Sequence, residues 1–142
     1  MNNKRYEFLK QHYVQGFPAH CGFEVECVVH GIFQTRLKIL SEHKQQDGDI
    51  HAGVIATIAD HTAGYSAYTV VPENIYILTI EFKINYFKPA LGEEIKCISK
   101  VINNGKQIIV SESEIFSISK GQEKLISKAI VTLMAVPAAN MT

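Results

Sequence analysis

From Val54 to Val71 the chain reads VIATIADHTAGYSAYTVV, apolar on every face and carrying a single acid, Asp60. A helix that is apolar all round is a buried helix, and the segment is bounded downstream by Pro72. On either side the period changes. Upstream, Phe23 to Val29 and Ile32 to Leu40 are β-branched and alternating, with His30-Gly31 between them, which predicts a hairpin. Downstream, period two persists in four blocks: Ile75 to Phe87, Glu93 to Ile102, Gln107 to Ile118 and Lys124 to Val136. In the first block Ile80, Phe82, Ile84 and Tyr86 alternate with Thr79, Glu81, Lys83 and Asn85, predicting one packed and one polar face. Asn103-Asn104-Gly105-Lys106 predicts a type I′ turn, because Asn-Gly supplies the positive φ angles it needs, and Gly121 marks the next turn. Ahead of all this, Tyr6, Leu9, Tyr13 and Val14 fall near helical spacing, a short amphipathic helix ended by Gly16 and Pro18. Ser41 to Asp49 is a polar loop leading directly into the central helix.

The order of these elements restricts the architecture. One long apolar helix between a strand pair and four antiparallel strands predicts an α+β fold in which a sheet wraps around the helix. The sheet covers one side of that helix. The other side needs a cover that the chain does not supply, and a second protomer would provide it.

A length of 142 residues fits one domain, spanning 1–142 with 1–17 as N-terminal helix and lead-in. Lys+Arg and Asp+Glu are both 14 and the net charge is zero, which argues against a nucleic-acid-binding face and favours self-association. Cys21, Cys27 and Cys97 are odd in number and form no CxxC pair, so they read as reduced core thiols. Met1 to Gly16 has no apolar signal-peptide core, and no apolar run reaches the length of a membrane span. The expectation is a soluble cytoplasmic protein with neither membrane nor nucleic-acid partner. His12, His20, His30 and His43 show no ligand spacing, so no metal is expected. The absence of GxSxG, P-loop and GxGxxG motifs argues against an α/β-hydrolase or a nucleotide enzyme.

Chemistry concentrates on the central helix. Ala56, Thr57, Asp60, Ala63, Gly64 and Ala67 share one stripe, small everywhere except at the acid. A carboxylate in such surroundings requires either a structural partner or a function. At the helix start the amides of Ala52 and Gly53 lack intrahelical acceptors and lie at the positive end of the macrodipole, a ready oxyanion site. Ala52 and Asp60 are separated by eight residues, about 12 Å along the axis. One carbonyl cannot touch both within a chain. Two antiparallel copies of the helix related by a two-fold axis would bring the Asp60 of one beside the Ala52 amide of the other.

The stretch HAGVIATIADHTAGYSA resembles the HGG…D helix of hotdog-fold acyl-CoA thioesterases of the phenylacetate-degradation (PaaI-like) branch, and ILTIEFKINYFKPALGEEI resembles the strand that follows it there. The resemblance spans about Phe23 to Val136. It implies a hotdog fold and hydrolysis of an acyl-CoA thioester by a homodimer, with a dimer of dimers left open. Asp60 would then be general base or nucleophile, the Ala52 amide beside Gly53 the oxyanion donor, and His51 a residue orienting the thioester or the loop. Thr79 would help position the attacking water. Two positions depart from the pattern: Ala52 stands for the middle Gly, and Gln45 for an Asn six residues before the motif His. No cofactor is implied beyond the coenzyme A of the substrate. Its phosphates would meet Lys88, beside Pro89, or Lys83, while Lys96, Lys100 and Lys106 read as solvated. Ile55, Ile58, Tyr65 and Tyr68 point to an apolar acyl pocket of undefined length, and His61 reads as a packing or interface residue. Two rivals remain. A non-catalytic acyl-thioester-binding module would account for Ala52 and Gln45, and a hotdog enoyl-thioester hydratase would need the Gly-Asp-x-Asn-Pro run that this chain lacks.

Overall fold

The computed structural model describes residues 3–141. The first helix, α1 (Asn3–Tyr13), buries Arg5, Leu9 and Tyr13 at intervals of four, one face of a helix. Pro18 does not stop a helix, as expected, but opens a second one: α2 (Phe17–Cys21) carries it in the first turn, where a missing N–H costs nothing, and ends at Gly22 with φ 86°. Strands β1 (Phe23–Val29) and β2 (Ile32–Lys38) form the expected hairpin around His30-Gly31. The central helix α3 (Ala52–Tyr68) starts two residues before the apolar run and stops four before Pro72. Its end is held by Thr69, whose hydroxyl donates to the Ser66 carbonyl at 2.6 Å and accepts the Gly31 amide at 2.7 Å.

Strands β3 (Ile75–Tyr86), β4 (Glu94–Asn104), β5 (Ile108–Ser119) and β6 (Gln122–Pro137) complete one six-stranded antiparallel sheet in the order β1-β2-β4-β5-β6-β3. The sheet curls around α3, the hotdog arrangement. Among the described residues no helix is long and apolar enough to cross a membrane.

Two expectations about the strands fail. At the β4–β5 turn neither Asn104 nor Gly105 has positive φ. Gly105 is required there for a different reason: its amide bonds the Ile108 carbonyl, and a Cβ would lie 2.3 Å from that oxygen. The two-residue turn with consecutive positive φ is Lys120-Gly121, at 51° and 77°. On β3 the alternation is broken by a bulge between Thr79 and Glu81. The predicted packed face is also open in the single chain, with Ile80 50% and Tyr86 48% exposed. Both follow from β3 lying at the sheet edge, where bulges concentrate and one side has no strand to cover it.

Between α3 and the sheet lies a layer of hydroxyl groups. Thr62 meets Tyr13 Oη at 2.8 Å and Thr35 Oγ1 at 2.9 Å. Ser113 donates to the Ala59 carbonyl at 2.7 Å and contacts Ser99 at 2.5 Å, and Ser66 contacts Ser111 at 2.9 Å. All of these side chains are buried. Each has a partner, so the layer escapes the cost of a buried unsatisfied group. Small residues such as Ala59 and Ala63 let the backbones approach closely enough for these bonds. Cys97 lies in the same layer, fully buried, and burial pushes its thiol up to about 11. It is a packing thiol, not a nucleophile.

Candidate active site

The side of α3 that the sheet leaves open carries Gly53, Ala56, Thr57, Asp60 and Gly64. Ala63 and Ala67, expected in the same stripe, are fully buried against the sheet, so the open strip is narrower than the sequence implied. Nothing lies within 4 Å of where a Gly64 side chain would begin. Asp60 is half-buried there. Its Oδ1 accepts a hydrogen bond from Thr79 Oγ1 at 2.7 Å. The β3 bulge makes this contact available: Thr79 pairs with Leu133, which faces the helix, although strict alternation had grouped Thr79 with Glu81 on the polar face. One carboxylate oxygen is thereby fixed, and Oδ2 is left for another donor.

His61 points away from Asp60, as adjacent residues on a helix must. Its Nε2 lies 2.9 Å from the Tyr13 carbonyl, and its ring packs on Tyr13 and Tyr65. Burial lowers its pKa, partly offset by the bond to the Tyr13 carbonyl and the Asp60 charge. A neutral ring bound to a backbone oxygen is a packing group.

At the helix start, His51 is the N-cap. Its Nδ1 accepts the Gly53 amide at 2.8 Å, so the ring proton resides on Nε2. A Cβ on residue 53 would lie 2.9 Å from that nitrogen, which explains the glycine. The Gly53 amide is therefore occupied, contrary to its expected role as an open donor. The Ala52 amide has no acceptor among the described residues and opens into a cleft of about 550 Å³. Sequence reasoning missed a residue that holds this first turn of the helix: Tyr86 Oη donates to the Ala52 carbonyl at 3.1 Å. His43 was missed too. Its ring bridges the Leu40 amide, at 2.9 Å, and the Cys21 carbonyl, at 2.7 Å, while its own carbonyl accepts the His51 amide. The only sequence signal for either was position, Tyr86 two residues before Lys88 and His43 in the loop ahead of the motif.

Gln45 and Lys88 line the Ala52 cleft with Ile55, Phe87 and Ile126. The Gln45 side-chain oxygen is taken by the Asp47 amide, so it is turned into its own loop. Lys83 lies elsewhere. It pairs with Ile130 on the sheet surface opposite the helix and lines neither this cleft nor its neighbour. Asp60 does not border the Ala52 cleft either. The chain thus presents two separate features, an acid gripped by a hydroxyl and an amide opening into a cleft of mixed polar and apolar lining. Among the described residues no cluster of His, Cys, Asp and Glu could hold a metal ion.

Comparison with known proteins places these features in context. A family model described as the thioesterase superfamily matches residues 47–124, which include Ala52, Asp60 and Thr79. A protein of Halobacterium salinarum, provisionally named an esterase, is 30% identical over 111 residues, covering 73% of each chain. The crystal structure of a thioesterase family protein from Silicibacter pomeroyi superposes with a TM-score of 0.90 at 27% identity, covering 94% of this chain and 98% of that one. A thioesterase from Haemophilus influenzae shares the fold, with a TM-score of 0.84 at 19% identity over 93% and 90% of the two chains.

Proposed function

The chain belongs to the thioesterase superfamily, and from that premise we propose that it is a cytoplasmic, PaaI-like acyl-CoA thioesterase whose two active sites are shared between the protomers of a homodimer. The observation that carries this reading is the division of the machinery along α3. Asp60, clamped by Thr79, and the Ala52 amide stand about 12 Å apart along the axis, on a helix whose open strip is lined by Gly53, Ala56 and Gly64. A second antiparallel copy of α3 against that strip would close both sites at once.

In each site the thioester carbonyl accepts a hydrogen bond from the Ala52 amide of one protomer. Asp60 of the other removes a proton from a water molecule as its oxygen adds to the carbonyl carbon. The tetrahedral oxyanion is stabilised by the Ala52 N–H and the positive end of α3. It collapses by breaking the C–S bond, and the proton held by Asp60 neutralises the departing thiolate. The other route has Asp60 itself attack and expel the thiolate, giving a mixed anhydride that water then opens at the Asp60 carbonyl carbon, with the substrate acid as leaving group. A single turnover in ¹⁸O water separates the two: label appearing in Asp60 marks the nucleophilic route, and label in the acid product alone marks the general-base route.

The shared site is tested by mixing two inactive variants. Ala52→Pro removes the donor at the first helical position, where proline is well tolerated. Asp60→Asn removes the base. If the sites are shared, a mixed dimer concentrates both lesions in one site and leaves the other intact, so random reassortment restores about a quarter of wild-type turnover. Mixtures that stay as inactive as their parents, although mass spectrometry shows mixed dimers, overturn the reading.

A further inference from the structure

We propose that His43 is a positioning residue for the Ala52 amide: its buried ring locks the neck of the 43–51 loop and so aims the N–H at the start of α3. The inference rests on the thioesterase reading above, in which that amide is the oxyanion donor. It adds the residue that holds the donor in place.

The anchor is the ring itself. It is only 4% exposed, although it belongs to a polar loop. Its Nδ1 lies 2.9 Å from the Leu40 amide, which can only donate, so Nδ1 accepts and the ring proton resides on Nε2. Nε2 then donates to the Cys21 carbonyl at 2.7 Å. One imidazole thus joins the end of α2 to the segment that follows β2. The His43 amide in turn donates to the Leu40 carbonyl at 3.1 Å, so ring and main chain together close the Ser41–His43 turn. The span requires an acceptor and a donor on opposite sides of one rigid ring, which histidine supplies.

From this anchor the hold passes to the helix through the backbone. The His43 carbonyl accepts the His51 amide at 2.9 Å, and the neighbouring Ile50 amide donates to the Ala90 carbonyl at 3.1 Å. Between them the chain closes on itself: Lys44 pairs with Ile50, and the Gln45 amide bonds the Asp49 carbonyl at 2.8 Å. Gln46, Asp47 and Gly48 at the tip are exposed, so the anchorage lies at the neck. His51 is therefore pinned twice, its amide by the His43 carbonyl and its ring by the Gly53 amide. Between these two bonds lies the peptide unit that carries the Ala52 N–H. A planar peptide held at both flanks keeps one orientation, and an oxyanion donor is effective when it is aimed before the charge develops.

The test separates the two arms of the ring. His43→Asn keeps a hydrogen-bonding group near the position of Nδ1, His43→Gln keeps one near Nε2, and His43→Leu keeps neither. His43→Leu should lower kcat on acyl-CoA by about thirtyfold and change KM by less than about twofold, the pattern of an interaction made only in the transition state. The Asn and Gln variants should each recover part of the loss. Ile109→Val, a core change on β5, reports the effect of lost stability alone and should leave kcat as it is. Added to Ala52→Pro, His43→Asn should cost nothing further, because its effect passes through the N–H that proline removes. The positioning role is overturned by wild-type kcat in His43→Leu, by a loss that is equal in all three variants or matched by Ile109→Val, or by a full further loss on top of Ala52→Pro. If His43→Leu does not fold, His43→Asn measured in both backgrounds decides the question. Wild-type turnover in Ala52→Pro would overturn the oxyanion donor and this inference with it, whereas an inactive Ala52→Pro beside fully active His43 variants overturns the inference alone.

Discussion

Asp60 and Thr79 illustrate how much one hydrogen bond decides. The acid was visible in the sequence because it interrupts an apolar run, and an ionisable group in such a run needs a reason to be there. Its partner was not visible in the alternation. Asp60→Asn should lower turnover by about 10²–10⁴ while the protein stays folded. Thr79→Ala should cost about tenfold in kcat, the scale of one hydrogen bond to a charged group, and Thr79→Ser should restore most of it. A Thr79→Ala variant with wild-type kcat would mean that the clamp is incidental. His51 acts through the backbone: His51→Ala should destabilise the fold by about 1 kcal/mol through loss of the N-cap, read as a shift in the denaturant midpoint. His61 makes stability depend on pH. Its pKa is lowered in the folded protein, so the unfolded chain binds the proton first. Stability is therefore full above the unfolded value of about 6.5 and falls on acidification until the folded ring also protonates. Melting curves of wild type and His61→Gln between pH 7.5 and 5 should diverge below about pH 6.5, and parallel curves would exclude His61 as the source.

The elements themselves were largely legible. A run that is apolar on all sides and strands of period two leave little freedom of assignment, and the hairpin upstream of α3 and the two downstream of it formed where turn residues interrupt the pattern. What the pattern could not carry is information held by non-local packing. A β-bulge inserts one residue with no change in composition, so the reversal that turns Thr79 toward α3 leaves no mark in the alternation. The exposed β3 likewise reads as a packed strand, because the alternation of apolar and polar residues does not say what, if anything, lies against it. Turn chemistry misled in one case: Asn104-Gly105 carries the type I′ signature, yet the glycine serves a close backbone approach while Lys120-Gly121 adopts the primed turn. Gly105→Ala should thus destabilise by steric conflict at Ile108, by about 1–3 kcal/mol. A melting temperature equal to wild type would show that the loop yields freely.

At the scale of the whole molecule, an edge strand of 12 residues and an open helix strip lie on the same side of the protein. Exposed strand edges invite pairing, and the proposed dimer would consume both surfaces. Gly64→Arg puts bulk into the open strip without meeting anything in its own chain. It should yield a folded monomer by ultracentrifugation with turnover at background, and an active monomer would refute the shared site. The hydroxyl layer beneath α3 has a bearing on this assembly. An all-apolar contact constrains a helix only loosely along its axis and about it, whereas the Thr62, Ser66 and Ala59 bonds each fit at a single setting, like pegs in an index plate. In the proposed dimer, Asp60 of one chain meets the Ala52 amide of the other only if each helix keeps the same setting, and a slip of one turn, about 5.4 Å, would carry every acid past its amide.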